Sequence, residues 1–257
     1  MRQIEDDRDI PGRPERFEEF KELLDLYSRE QGCVLPKQTF LIAGTNGKGS
    51  VAKTLETLLL RVHRGVGLFT SPHIVDTVER IRSYEKDLSH DEFIEVFKLI
   101  EPYRRKMGLS RFETFTLMMF EAFFGGRVRP RVECAVIEVG VGGRLDPTNA
   151  IPHSISVVTS IGRDHEAVLG NSLASIGQEK FGIVSRGNIV VCGRLPAEAA
   201  QAKMTASSIA GVRVFDARIF SSHIERSELD PVWVIESPWG QAPLALKGPR
   251  AIENTSI

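Results

Sequence analysis

Cysteine is scarce in this sequence, with three in 257 residues. Cys33, Cys134 and Cys192 are odd in number, widely spaced, and form no C-x-x-C pair. That excludes a disulfide framework and gives no sign of a dithiol or structural zinc site, so reduced thiols of a cytoplasmic protein are expected. Net charge is also nearly absent, with 33 Lys plus Arg against 34 Asp plus Glu. A reader of the phosphate backbone normally carries a basic excess, so no nucleic-acid partner is expected. Long apolar runs are missing too: none approaches the roughly 18 residues that a bilayer requires. The first residues, Met1-Arg2-Gln3-Ile4-Glu5-Asp6-Asp7, are charged where a signal peptide needs an apolar core, so neither secretion nor a membrane is expected. No repeat or low-complexity segment is visible. What is present is 42% hydrophobic and 26% charged residues of balanced sign, the composition of a globular chain. At roughly 150 residues per domain, its length fits one large α/β domain or two small ones.

Phe17, Phe20, Leu24 and Tyr27 recur at helical spacing between charged neighbours, predicting an amphipathic helix over 15–30. A short apolar run at 40–43 breaks into Gly44-Thr45-Asn46-Gly47-Lys48-Gly49-Ser50, after which Val51, Leu55, Leu58, Leu59 and Val62 return at helical spacing. That order is strand, glycine loop, helix. A second strand over 65–70 leads through a polar loop to helices near 90–106 and 111–124. Further apolar runs at 134–139, 155–159 and 189–192, with a helix over 197–209, read as buried parallel strands separated by helices. From Val212 onward the pieces at 212–215, 232–235 and 242–246 are short and separated by Pro and Gly, which predicts a small antiparallel addition. The fold class expected is therefore α/β, a mainly parallel sheet flanked by helices with a small antiparallel β extension near the C-terminus. The core would occupy 38–211, the extension 212–247, and the start of a further helix 249–257.

The loop at 44–50 is the strongest chemical signal. Glycines let backbone N–H groups turn inward toward phosphate oxygens, the next helix presents its positive end, Lys48 can reach terminal phosphates, and Ser50 can meet Mg²⁺. Its G-x-x-G-K-G-S spacing is shorter at the front than the common G-x-x-x-x-G-K-[ST]. Glu138 closes an apolar strand just before Gly140-Val141-Gly142-Gly143, and Asp164-His165 follows the next strand. Groups at the carboxyl ends of neighbouring parallel strands face the crevice where α/β sheets bind nucleotides, and a carboxylate there can hold Mg²⁺.

The residues at 44–50 are followed in order by Thr70-Ser71-Pro72-His73, Glu79-Arg80-Ile81-Arg82, Glu138-Val139-Gly140-Val141-Gly142-Gly143-Arg144-Leu145-Asp146-Pro147-Thr148-Asn149, Thr159-Ser160-Ile161-Gly162-Arg163-Asp164-His165 and Glu179-Lys180-Phe181-Gly182-Ile183. This succession closely resembles the folylpolyglutamate synthase and dihydrofolate synthase branch of the Mur ligase superfamily, over about residues 40–187, with a weaker echo near 248–254. The resemblance implies a P-loop, Mur-ligase-like ATP-binding domain. It also implies an ATP-dependent amide ligase, in which a folate or dihydropteroate carboxylate becomes an acyl phosphate that the amino group of L-glutamate attacks.

Carried over by position, the resemblance assigns the ATP phosphates to Gly44, Thr45, Asn46, Gly47, Lys48, Gly49 and Ser50, with Asn254 on the adenine side. Arg250-Ala251 stands where His-Gln is usual. It assigns magnesium to Ser50, Ser71, Glu138 and His165, and the folate to Phe112, Glu113, Leu145, Asp146 and Pro147. Lys48, Lys180 and His165 are the catalytic candidates. Lys180 matches a lysine that is carbamylated in the family, and because carbamylation needs a neutral amine, its pKa is expected to be lowered by burial or nearby cations. The resemblance further implies a monomer, and a second α/β domain with the glutamate site that this sequence does not contain. Two alternatives remain: a Mur-type ligase of a cell-wall precursor, against which Ser71-Pro72-His73 and Gly143-Arg144-Leu145-Asp146 favour folate, and a truncated paralogue that binds nucleotide or folate without catalysis.

Overall fold

The computed structural model describes residues 14–217, 234–237, 240–243, 254, 255 and 257. Helix α1 (Pro14–Gln31) buries Phe20, Leu23, Leu24 and Tyr27, an i, i+3, i+4, i+7 stripe on its core face. Strands β1 (Gln38–Ala43), β2 (Val66–Phe69), β5 (Cys134–Glu138), β6 (Ile155–Val158), β7 (Ile189–Cys192) and β8 (Arg213–Asp216) form the parallel part of an eight-stranded sheet. β3 (Ile81–Ser83) and β4 (Lys86–Asp87) extend it antiparallel at one edge, giving the order β4-β3-β2-β5-β1-β6-β7-β8. β2 and β5 are buried along their whole length, as expected of strands covered on both faces.

Helices α2 (Lys48–Leu59), α3 (His90–Met107), α4 (Arg111–Phe120), α5 (Glu166–Leu169), α6 (Leu173–Phe181) and α7 (Ala200–Ser207) fill the connections. Local chemistry sets their limits. Ser89 with Glu92 and Ser110 with Glu113 form capping boxes that start α3 and α4, and Gly108, at φ 56°, ends α3 in the left-handed conformation. A π-helical turn, Glu121–Gly125, continues α4. Buried aromatic side chains, among them Phe69, Phe115, Phe120, Phe123 and Phe124, fill the larger core between the sheet and α1, α3 and α4.

Two features differ from the sequence reading. The piece at 212–215 does not open the antiparallel addition: β8 pairs parallel to β7, Ile189 opposite Arg213, so the main sheet runs through Asp216. As an edge strand it alternates between exposed and half-buried residues, and that alternation imitates an antiparallel strand. The polar loop after β2 also contains strand pairing, in β3 and β4, too short to show a period. The antiparallel addition itself is present as β9 (Val234–Ser237) paired with β10 (Gly240–Pro243). Most of the helix expected at 249–257 lies outside the described residues, though Asn254 and Thr255 are helical.

Burial pushes all three thiols up, Cys33 and Cys134 to about 11 and Cys192 to about 12, and none of the three is in a disulfide. No described helix is long and apolar enough to cross a membrane.

Candidate active site

The register aligns the carboxyl ends of β2, β5, β1 and β6, with Phe69 opposite Ile137, Ile42 opposite Glu138, and Ala43 opposite Val158. Four motif-bearing loops therefore leave the sheet side by side. The first, at 44–47, turns from β1 into α2 through Gly44 (φ 151°) and Gly47 (φ 86°). A Cβ on Gly44 would lie 1.9 Å from Thr159 Oγ1, so only glycine allows the loop to approach β6 this closely. Gly47 is the N-cap of α2 and provides no side-chain cap, which leaves the first-turn N–H groups available to an anion. Lys48 lies along the loop, its Nζ donating to Gly44 O at 3.0 Å and Thr45 O at 3.3 Å.

The loop after β6 holds this conformation. Thr159 Oγ1 donates to Asn46 O at 2.7 Å, Asn46 N donates to Ser160 Oγ at 3.0 Å, and Thr45 Oγ1 both donates to Gly162 O and accepts from Gly162 N. In the sequence Thr159, Ser160 and Gly162 are only members of a motif; their hydrogen bonds to the glycine loop need β6 to lie beside β1. Asn254 also reaches the loop, where a Cβ on Gly47 would meet its Oδ1 at 2.2 Å.

Glu138 is 4% exposed and lies against the other side of the loop, 3.5 Å from the position of a Gly49 Cβ. Its Oε2 accepts from Ser71 N at 2.9 Å, while Oε1 accepts no hydrogen bond among the described residues. Burial raises its pKa, opposed by that hydrogen bond and by the nearby Lys48 and Arg80. A buried carboxylate with a free oxygen beside a phosphate-type loop fits a divalent cation. Among the described residues no three His, Cys, Asp or Glu cluster as metal ligands, so such a cation would take most of its ligands from water and phosphate, as Mg²⁺ usually does. His165 stands at the start of α5 in the left-handed conformation, half exposed, with Nε2 3.7 Å from Asp164 Oδ2; no hydrogen bond joins its side chain or that of Ser50 to Glu138.

Lys180, near the end of α6, is 3% exposed, and its Nζ donates to Gly44 O at 2.9 Å. The two lysines share one carbonyl oxygen. Burial first, and the neighbouring Lys48 second, lower the Lys180 pKa to about 8, as the sequence reading expected. The loop at 140–146 is fastened to the same helix: Arg144 N donates to Glu179 O at 2.8 Å and its guanidinium pairs with the Glu179 carboxylate. Glu138 and Lys180 are thus braced together.

The remaining predicted positions divide in two. Phe112 packs its ring on Gly140, where a Cβ would sit 2.6 Å from Phe112 Cζ, and Leu145 and Pro147 are half-buried. Glu113 and Asp146 are committed to the protein. Glu113 pairs with Arg16 at 2.7 Å and accepts from Ser110 N; Asp146 accepts from Val141 N, Thr148 N and Thr148 Oγ1. Burial is the main reason the Asp146 carboxyl is raised to about 6.

No family model matches the chain. The dihydrofolate synthase/folylpolyglutamate synthase of Buchnera aphidicola subsp. Acyrthosiphon pisum is 42% identical over 154 residues, which are 60% of this chain and 36% of that protein. Mycobacterium tuberculosis folylpolyglutamate synthase complexed with ADP and AMPPCP superposes with a TM-score of 0.82 at 31% identity, covering 93% of this chain and 57% of that one. A bifunctional folylpolyglutamate synthase/dihydrofolate synthase with Mn, AMPPNP and L-glutamate bound gives 0.73 at 30% identity, covering 99% and 59%. The chain spans less than two thirds of each of these proteins. The chain is similar to these dihydrofolate synthase/folylpolyglutamate synthases in sequence and in fold, over the part of those proteins that it spans.

Proposed function

We propose that the chain is the ATP-binding domain of an ATP-dependent amide ligase that joins L-glutamate to a folate or dihydropteroate carboxylate. The observation that carries this reading is the convergence on one glycine loop of an uncapped helix start, Lys48, buried Glu138 and buried Lys180. Residues 44–50 would hold the ATP phosphates, with Asn254 on the adenine side. Glu138, Ser71, Ser50 and His165 would serve Mg²⁺, which when bound offsets phosphate charge. Lys48 would leave the loop carbonyls for the transferring phosphate. Phe112, Leu145 and Pro147 would line the folate side, with Glu113 and Asp146 fixing the walls on which they stand. Such a site works by alignment and charge stabilisation and needs no protein nucleophile. A glutamate-binding domain supplied by a longer protein, a monomeric state, a cytoplasmic location and the absence of a nucleic-acid partner belong to the same proposal.

The direct test is calorimetric binding of AMPPCP to the chain in a magnesium series, followed by glutamate- and dihydropteroate-dependent ADP release. AMPPCP should bind with magnesium dependence, and Glu138→Gln should raise the magnesium needed for half-saturation by about tenfold, the effect of losing one charge-assisted ligand worth ~1.5 kcal/mol. An identical magnesium series in the variant would remove Glu138 from the metal site.

Carbamylation of Lys180 is the second part of the proposal. The neutral amine adds CO₂, so the modified fraction should grow as pH rises through about 8. Labelled bicarbonate should give a carbamate carbon resonance in the native chain and none in Lys180→Arg. A resonance of equal intensity in both would place the modification elsewhere.

A further inference from the structure

Two guanidiniums from different elements meet on one aromatic ring, and one of them, Arg80, also lies near Glu138. Arg80, at the end of the 3-10 turn Thr77–Arg80, places Cζ 4.8 Å from the Phe115 ring centroid, and Arg111, the first residue of α4, places its own 5.7 Å from the same centroid. Arg80 Nε donates to His73 Nδ1 at 2.9 Å. A guanidinium has only donors, so Nδ1 must accept, and the proton of the neutral imidazole stays on Nε2. His73 therefore presents a fixed N–H donor.

Arg111 is unlike the other half-buried arginines. Arg16, Arg82 and Arg127 each pair with a buried carboxylate, of Glu113, Glu56 and Glu121 respectively. Among the described residues Arg111 has no carboxylate partner, and its buried Nε–H has no acceptor. A partly buried cation without an anion is a standing cost that folding alone does not explain. The loop that carries His73 is well fixed: the amides of Ile74, Val75 and Asp76 all donate to the Glu79 carboxylate. Ile74 and Val75 nevertheless stand 92% and 86% exposed, an apolar pair that directly follows His73 in the chain.

We infer that His73, Arg80 and Arg111 form a subsite for a carboxylate of the acceptor substrate, with Ile74 and Val75 as its apolar flank. The guanidiniums supply charge, His73 Nε2–H supplies one directed donor, and the exposed pair covers the organic body of the acid. The identity of that acid rests on the amide-ligase reading; the preference for an anion does not.

Calorimetry on the native chain and on Arg111→Gln, saturated with AMPPCP and magnesium, tests this with three probes: dihydropteroate, 4-aminobenzoylglutamate and 6-hydroxymethylpterin, which has no carboxylate. The variant should bind the two acids at least tenfold more weakly, bind the pterin alcohol and AMPPCP as the native chain does, and show an unchanged or higher Tm, because an unpaired charge has gone. A lowered Tm with equal loss for all ligands would make Arg111 a structural residue and overturn the subsite. Native binding of dihydropteroate that does not depend on Arg111 would also overturn it while keeping the folate reading. Arg111-dependent binding of 4-aminobenzoylglutamate without any pterin binding would keep the subsite and remove the folate reading. Failure of both acids to bind would remove both.

Discussion

Alanine in place of Lys48 is expected to weaken AMPPCP–magnesium binding by about 10- to 100-fold, with little change in thermal stability. Its ammonium group rests on two neutral acceptors, Gly44 O and Thr45 O. A phosphate oxygen is a charged acceptor, and a charge-assisted hydrogen bond contributes about 1.5–3 kcal/mol, which at 1.4 kcal/mol per decade gives the range stated. The stability cost is small because Lys48 is only half-buried and water can reach the carbonyl groups it leaves. The substitution has a second consequence. Lys48 is one of the two causes that depress Lys180, so removing it should move the Lys180 pKa upward from about 8. At a fixed pH less neutral amine would then be available, and the carbamate signal should shrink. Native nucleotide affinity in the variant would make the glycine loop a simple turn between strand and helix.

The largest loss of stability is expected from Arg127→Met, about 3–5 kcal/mol, at an ion pair outside the glycine loop. Glu121 opens the π-helical turn after α4 with its side chain fully buried. Its carboxylate accepts from Arg127 Nε at 2.8 Å and from Tyr27 OH at 2.9 Å, and Arg127 Nη2 also donates to Tyr27 OH at 2.7 Å. Removing the guanidinium leaves a buried carboxylate with one neutral donor, and leaving one member of a buried pair alone costs more than the pair itself stabilises. For a chain of this size the Tm should fall by roughly 10 °C. Glu121→Leu combined with Arg127→Met should recover part of that loss, because no charge is then left buried. A single-variant loss below about 1 kcal/mol would mean that water reaches Glu121 and the pair behaves as a surface ion pair.

The legibility of the fold follows from where each element sits. β1, β5 and β6 could be read as runs because strands covered on both faces carry continuous apolar sequence. α1, α3 and α4 could be read from periodicity, and α3 and α4 from serine-led capping boxes besides. β8 could not, because one side of an edge strand faces solvent. β3 and β4, at three and two residues, are shorter than any period that could reveal them.

The candidate site divides in the same way. Lys48 and Glu138 were visible because their chemistry is local: a glycine loop precedes a helix, and an acid ends an apolar strand. Lys180 would have looked like one half of an exposed helical Glu-Lys pair without the surrounding motif, yet it is 3% exposed and bonded to a carbonyl 136 positions earlier in the chain. Glu113 and Asp146, which the resemblance assigns to the folate, hydrogen-bond neighbouring backbone and Arg16, partners that only the fold brings into view.

What the sequence determined by itself was composition, periodicity and the order of the loops, and with them a mainly parallel α/β sheet carrying a glycine loop ahead of a helix. These are properties of neighbours within a few residues, and one stretch of chain is enough to express them. The tertiary structure alone decided which charges are paired. It gave Glu121 an arginine, gave Lys180 and Lys48 the same carbonyl, and stacked Arg111 on Phe115 without an anion among the described residues. Burial and Coulomb attraction act through space, and distant segments become neighbours only when the sheet has set the register of its strands.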